Sequence, residues 1–224
     1  MQHGKPGFRI LEAPSRLDAA LVARFRGLAA ANVADAMGRF NAMDARIRAR
    51  TGRPLSGVAV TVQCRPADNL MVHKAIELAQ PGDIVVVSTC GNADNAVFGG
   101  LMCHTAAAKK LGGIVVDGAI RDIGDLDRLE FPAFSAYVAA GSCDKDGPGE
   151  VNIPIACGGV VVCPGDIVVG DEDGVAVVPR AQAEAVLEGV AALVTREKKR
   201  IVEIAGGVLY KPDVDDTLRK HGVI

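Results

Sequence analysis

The run Asp83-Ile-Val-Val-Val-Ser-Thr89 constrains this chain more than any other segment. Four successive β-branched residues, Ile84 to Val87, make a strand that is apolar on both faces, and such strands belong inside a parallel sheet covered on both sides. The neighbouring residues fit that placement. A polar loop, Gly91-Asn-Ala-Asp-Asn95, leads into Phe98–Leu111, rich in Ala, Leu and Lys and closed by Gly112-Gly113, which reads as a helix with a glycine C-cap. Ile114-Val-Val-Asp117 is then a second buried strand. Strand, helix and strand with short connections predict a right-handed βαβ crossover, and ligand crevices in such sheets lie beyond the carboxyl ends of the strands. The site is therefore expected near Cys90–Gly100 and Asp117–Asp122.

The rest of the chain organises around this unit. Ser15 reads as an N-cap with Asp18 at N3, and Leu17, Leu21, Val22, Phe25 and Leu28 continue the helical spacing to about Ala30. A second helix starts at Asn32–Met37, and the basic stretch Arg46–Pro54 reads as a solvated connector. Gly57–Cys64 has the pattern of a strand, after which Asp68 caps a helix that runs through Leu78 and stops at Gln80-Pro81-Gly82. Beyond a short helix at Ile123–Glu130 the pattern is β-rich: Phe131–Val138, Ile153–Cys157, Val160–Cys163, Asp166–Val169 and Gly174–Val178. Arg180–Ile204 is a long helix with Val186, Val190, Leu193, Val194, Ile201 and Val202 on one side. With 224 residues and no linker or low-complexity tract, the expectation is one α/β domain over 1–224. Its N-terminal helices fall at about 15–40, its core at about 55–179 and its C-terminal helix at about 180–204.

Composition excludes some functions. A net charge of −2 offers no broad positive field for nucleic acid or an anionic membrane, and 4% aromatics with no Trp offer few stacking platforms. No apolar run approaches the roughly 18 residues of a membrane span. Met1–Gly7 lacks the apolar region of a secretory signal, so a cytoplasmic location is expected. Six cysteines, at positions 64, 90, 103, 143, 157 and 163, include no C-x-x-C pair and read as small buried hydrophobes. Cys90 and Cys103 flank the expected active loop, but no third group is identifiable that would orient His104 for nucleophilic catalysis.

Two constellations carry chemistry. In Val115-Val-Asp-Gly-Ala-Ile-Arg121-Asp122-Ile-Gly-Asp125, a strand and a turn deliver Arg121 and Asp122 to the start of the next helix. Asp122 and Asp125, three apart, share a face if the helix begins at Asp122, and two such carboxylates suit a hard divalent cation. A neighbouring guanidinium suits a substrate carboxylate or an enolate oxygen. The same spacing also serves an Asp N-cap with an acidic first turn. The second constellation, Phe98-Gly99-Gly100-Leu101-Met102, places two glycines at a helix start, where free amides favour an anion. No G-K-[ST] and no G-x-G-x-x-G after a strand occur, so nucleotide binding is unsupported.

The phrases Pro66-Ala-Asp-Asn69-Leu-Met-Val-His73, Gln80–Asp83, Phe98–Leu101, Gly113–Asp122 and Pro164–Pro179 together resemble the RraA-like family. The resemblance runs roughly from Val33 to Ile204 and implies an α/β/βα sandwich like a swivelling domain, assembled as a trimer or hexamer with active sites between subunits. It also implies a class II pyruvate aldolase acting on 4-hydroxy-4-methyl-2-oxoglutarate or 4-carboxy-4-hydroxy-2-oxoadipate, with Mg²⁺ or Mn²⁺ and an oxaloacetate decarboxylase side activity. Family aldolases often carry an Asp twenty residues before the Arg-Asp pair. Here that position is Gly100, which departs from the pattern. A second family pattern has Gly there and an acidic residue three after the Asp, and Gly100, Arg121, Asp122 and Asp125 match it. The resemblance thus implies Asp122 and Asp125 as metal residues and Arg121 beside an enolate. It implies the amides of Gly99, Gly100, Leu101 and Met102 on the substrate carboxylate, and Glu197 reaching a neighbouring subunit's site. The family's namesake, a non-catalytic regulator that binds an RNA-degrading enzyme, is the alternative. Arg65, Asn69 and His73 are polar candidates for the rest of the substrate, and Gly141–Glu150 reads as a mobile loop over the site or a surface turn.

Overall fold

Ile84–Ser88 is buried along its whole length and lies in the middle of the main sheet, as its uninterrupted apolar pattern requires. The computed structural model describes residues 3–224; the first two residues of the Met1–Gly7 segment lie outside it. In chain order the strands are β1 (His3–Lys5), β2 (Phe8–Ile10), β3 (Arg48–Ala49), β4 (Leu55–Cys64), β5 (Ile84–Ser88), β6 (Ala96–Phe98), β7 (Gly113–Ile120) and β8 (Ala133–Val138). They continue with β9 (Gly149–Val151), β10 (Ile155–Cys157), β11 (Val160–Val162), β12 (Ile167–Asp171) and β13 (Gly174–Val178). The helices are α1 (Ala19–Ala23), α2 (Ala30–Ala36), α3 (Leu70–Leu78), α4 (Gly100–Ala108), α5 (Ile123–Arg128), α6 (Ala183–Ala205) and α7 (Pro212–Lys220).

β4, β5, β7 and β8 run parallel side by side, so the connection through α4 joins neighbouring parallel strands as predicted. β9 extends the sheet antiparallel from β4, and β3 closes the far edge against β8. β4 is long because one edge serves two partners. Leu55–Val58 pairs with β12 and Val62–Cys64 with β9. The β12–β13 hairpin is thereby carried onto one face of the sheet.

Three apolar clusters divide the layers. The first lies between the sheet and α3, α4 and α5, and contains Val62, Val72, Phe98, Ile120 and Leu126. The second fills the opposite face, where Ile84, Val86, Val115 and Phe134 meet Val168, Val175 and Val177 of the hairpin. The third lies on the hairpin's outer side, where Ile167, Val169 and Ala176 meet Val33 of α2 and Val186, Leu187 and Val190 of α6. The order helix, sheet, sheet, helix is the expected sandwich, and period-two alternation along β12 and β13 lets one hairpin serve two cores.

Several boundaries differ from the sequence reading. The first helix does not run from Ser15 to Ala30: Asp18 is itself the cap, its Oδ1 accepting from Ala20 N at 2.8 Å, and the helix ends after five residues. Gly27, at φ +73°, turns the chain so that Phe25 enters the third core, and α2 starts anew at Ala30. Phe98 belongs to a strand: Ala96–Phe98 pairs with β7, and the helix begins only at Gly100. The basic stretch is not a solvated connector. Ile47 and Thr51 are buried, and Arg50 Nη2 donates to the carbonyls of Ser135 and Ala136 at 2.7 and 2.8 Å. Ile201 and Val202 do not join the core face of α6; they are 65% and 72% exposed, because the last turns of that helix extend past the hairpin they would pack on.

Candidate functional site

β6 and β7 end together. Phe98 pairs with Ile120, and Arg121 N donates to Phe98 O at 3.0 Å, so the next residue of each strand, Gly99 and Arg121, emerges at one edge of the sheet. Asp122 then takes a left-handed conformation, φ +59° and ψ +38°, and starts α5. That region is uncommon outside glycine but is tolerated by Asp, and it is the kind of local cost that sites retain. The turn directs the Asp122 carboxylate at the N-terminus of α4, where Oδ2 accepts from Gly100 N at 2.9 Å. Asp122 is therefore the cap that Gly99, lacking a side chain, cannot supply.

The two glycines make room for this. A Cβ on Gly99 would lie 2.7 Å from Asp122 Oδ2 and 3.1 Å from Arg121 Cγ. On Gly100 it would lie 2.7 Å from Asp125 Oδ2 and 3.5 Å from Asp122 Oδ2. The carboxylates of Asp122 and Asp125 thus flank one small volume, and Asp125 fills the space that a side chain at position 100 would need. Arg121 Nε stands 3.6 Å from Asp122 Oδ2, and its Nη1 reaches toward Ala140 O at 3.5 Å. Arg128 pairs with Asp125 through its Oδ1.

The donor set fits a hard divalent cation. Two carboxylates from one turn and one helix, Asp122 lining the cleft and Asp125 behind it against Arg128, would leave coordination positions for water and substrate, as Mg²⁺ and Mn²⁺ sites do. No group of three His, Cys, Asp or Glu suited to a metal occurs among the described residues, so the chain alone would supply a two-carboxylate site and not a closed cage.

A cleft of about 220 Å³ opens beside these groups, below the 300–1,000 Å³ typical of drug-sized ligands and suited to a small acid. Gly99, Gly100, Leu101, Met102, Arg121 and Asp122 form one side of it. The expectation that all four amides from Gly99 to Met102 would grip a substrate is corrected at Gly100, whose N–H is already bonded to Asp122. Asn69, His73, Ser142 and Lys145 form the other side. Asn69 Nδ2 donates to Val97 O at 3.2 Å and faces Met102 Sδ at 3.7 Å, tying α3 to the start of α4, while its Oδ1 has no hydrogen-bond partner among the described residues. Burial, with the nearby charge of Lys145, holds His73 below the usual histidine range. Arg65 does not line the cleft; it pairs with Asp68 at 3.5 Å and Asp144 at 3.7 Å.

The segment Gly141–Glu150 is a wall fastened to the body. Asp68 Oδ2 accepts from Asp146 N at 2.9 Å and Gly147 N at 2.8 Å, and Asn95 Nδ2 donates to Ser142 O at 2.7 Å. Burial raises the Asp68 carboxyl, but the amides of Asp146, Leu70 and Gly147 and the charge of Arg65 outweigh it and hold the group below its usual value. Ser142 and Lys145 are the site residues that pattern reading did not single out. The only available signal was their position in a polar loop following a strand of the βαβ system.

Glu197 is not brought to this cleft within one chain. It lies on α6, in the layer beyond the β12–β13 hairpin, where its Oε2 accepts from Asn32 Nδ2 at 3.2 Å. The cysteines behave largely as small hydrophobes: Cys103 is buried under α4, and burial together with Asp125 pushes its thiol up to about 12. Cys90 is exposed.

A protein of Halalkalibacterium halodurans with the provisional name 4-hydroxy-4-methyl-2-oxoglutarate aldolase is 37% identical over 175 residues, covering 78% of this chain and 83% of its own. The crystal structure of an uncharacterized protein from Pseudomonas syringae superposes with a TM-score of 0.77 at 27% identity, over 87% of this chain and 96% of that one. The structure of the RNA-processing inhibitor RraA from Thermus thermophilus superposes with a TM-score of 0.63 at 28% identity, over 67% of this chain and 92% of that one. Residues 30–177 match the RraA-like family model, described as Aldolase/RraA, and the chain belongs to that family.

Proposed function

We propose that this protein is a carbon–carbon lyase. It cleaves a 4-hydroxy-2-oxo diacid or triacid, such as 4-hydroxy-4-methyl-2-oxoglutarate or 4-carboxy-4-hydroxy-2-oxoadipate, to release pyruvate, and decarboxylates oxaloacetate as a side activity. The observation that carries the reading is the convergence of Asp122 and Asp125 on the space beside Gly100, with Arg121 at their edge. The name of the Halalkalibacterium halodurans relative supports it.

Asp122 and Asp125 would hold Mg²⁺ or Mn²⁺, which supplies charge to polarise the 2-oxo group and stabilise an enolate when bound. The first-turn amides of Leu101 and Met102, at the positive end of α4, receive the C1 carboxylate. In the retro-aldol step the C4 hydroxyl loses its proton and C4 becomes a carbonyl. The C3–C4 bond breaks, its electron pair forms the pyruvate enolate, and C3 then takes up a proton. Arg121 would balance charge on the enolate oxygen. A water held by Asp125, or by Glu197 of a neighbouring copy, would accept the hydroxyl proton. Decarboxylation of oxaloacetate passes through the same enolate, so one arrangement serves both.

The likeness to the RNA-processing inhibitor favours a second reading, a non-catalytic regulator that acts on a ribonuclease by contact. Pyruvate release from oxaloacetate and from 4-hydroxy-4-methyl-2-oxoglutarate separates the two. The expected result is release that requires Mg²⁺ or Mn²⁺ and is abolished by EDTA and by Asp122→Ala. Absence of release above a metal-only blank overturns the lyase reading and leaves the regulator.

A further inference from the structure

The basic stretch that pairs with β8 carries positive charge for which the proposed lyase chemistry has no use. Arg46, Arg48 and Arg50 line a cleft of about 570 Å³ together with Asp44, Ala45 and Ala136. Arg46 and Asp44 answer each other, the guanidinium Nη2 standing 2.8 Å and Nε 3.1 Å from the carboxylate oxygens. Neither Arg48 nor Arg50 has a carboxylate partner among the described residues. Arg48 Nε donates to Ala45 O, and Arg50 donates to Ser135 Oγ and the carbonyls of Ser135 and Ala136, so only neutral acceptors meet the two charges. We propose that Arg48 and Arg50 bind a small dicarboxylate, in a second ligand site separate from the Arg121–Asp122 cleft. The two places lie on different faces of the sheet: Ala49 and Ala136 pack with the second apolar cluster, on the hairpin side, whereas the Arg121 cleft is built on the start of α4.

Charge and anchoring select this ligand. Two unanswered guanidinium charges in one cleft oppose each other, and Arg50 is half-buried; burial and the charge of Arg48 hold it below the usual arginine range. An anion of charge −2 would remove both costs. The forks are fastened separately. Arg50 lies along β8, its Nε 2.9 Å from Ser135 Oγ and its Nη2 2.7 and 2.8 Å from the two carbonyls, while Arg48 is tethered through Nε to Ala45 O at 2.9 Å. Their backbones, two residues apart on an extended segment, are separated by about 7 Å. A single compact oxyanion reaches one fork, whereas a diacid of four or five carbons reaches both. Arg48 keeps both terminal amino groups for a bidentate pair with one carboxylate, and Arg50 keeps Nη1 for the other. Because the anchoring bonds already hold Arg50, little ordering is left to be done when the anion arrives. No aromatic side chain lines the cleft, so a nucleotide base would find no stacking surface.

The test is calorimetric, on the full chain freed of metal by EDTA and then dialysed, with succinate, butyrate and inorganic phosphate as probes. Without metal the Arg121 cleft loses its proposed grip on carboxylates, and Arg121→Ala controls for what remains of it. The native protein is expected to bind succinate with a Kd of about 1 mM or tighter, and butyrate and phosphate more weakly by about tenfold or more, the value of one charge-assisted hydrogen bond. Arg48→Ala should weaken succinate by about tenfold or more, while Arg121→Ala leaves it unchanged. Arg48 is exposed, and an unchanged thermal midpoint shows that the variant is folded. Absence of saturable succinate binding, binding that survives Arg48→Ala, or binding lost in Arg121→Ala overturns the site. Butyrate or phosphate bound as tightly as succinate overturns the dicarboxylate assignment. None of these outcomes bears on pyruvate release, which is measured with metal present.

Discussion

Gly100 and Asp125 occupy one space, and this turns a sequence difference into a packing statement. The family resemblance offered two alternatives, an acid before the Arg-Asp pair or one three residues after Asp122. A Cβ at position 100 would lie 2.7 Å from Asp125 Oδ2, so a side chain there requires the Asp125 carboxylate to turn away. Gly100→Asp should therefore displace Asp125 and lower the rate of pyruvate release by about a hundredfold, the usual cost of moving a reacting group by an ångström. Combining it with Asp125→Ala vacates the space and should recover a large part of that rate; steady-state kinetics on the two variants decides. Asp122 has two roles that substitution can separate. Asn keeps an acceptor for Gly100 N but loses the charge, so Asp122→Asn should abolish metal-dependent activity with little change in thermal midpoint. Asp122→Ala should lose the cap as well, at about 1 kcal/mol. Arg121, Asp122 and Asp125 were legible because a strand, a turn and a helix start leave little freedom in where consecutive residues go. Lys145 was not, because its position depends on which amides Asp68 captures, and that is a long-range matter.

At the scale of elements, one buried carboxylate, Asp68, holds the 146–147 end of the wall 141–150, while Asn95 and backbone bonds hold its start. Asp68→Ala removes the acceptor for Leu70 N, Asp146 N and Gly147 N and should cost about 1–3 kcal/mol, read as a lowered thermal midpoint. The contribution also depends on pH. Because the folded protein holds Asp68 below its ordinary value of 3.8, these bonds add stability that is fully present above that value and is lost as pH falls through the lowered one. The difference in midpoint between native protein and Asp68→Ala should stay constant from pH 7 to about pH 5 and shrink below about pH 4; a gap that persists in strong acid would show that the carboxylate charge is not what fastens the loop. The long apolar runs were legible as elements because burial on both faces permits one pattern only. β6 and β9 were not, since three residues display no period and become strands only when β7 and β4 supply partners.

At the scale of the whole molecule, no helix among the described residues is long and apolar enough to cross a membrane. The last turns of α6 and the segment after it nevertheless expose Ile201, Val202, Leu209 and Tyr210, beside the stretch that carries Glu197. An assembly of three or six copies would cover such a surface and bring Glu197 to another copy's cleft. Light scattering should then give a mass three or six times 23.2 kDa, and a monomer would remove Glu197 from the mechanism. The sandwich was legible from the order of elements, whereas assembly was not, because an apolar residue at the end of a helix reads the same whether it faces a core or another chain. One chemical event is central to the proposed activity, the formation of a pyruvate enolate between Arg121 and the Asp122–Asp125 pair. Exchange of the pyruvate methyl protons in deuterated water, followed by proton NMR, measures that event without requiring the full substrate. The exchange is expected to need Mg²⁺ or Mn²⁺, to stop with EDTA, and to be lost in Arg121→Ala and Asp122→Ala. Exchange no faster than the metal-only blank, from protein shown to be folded, would contradict enolate formation at this site.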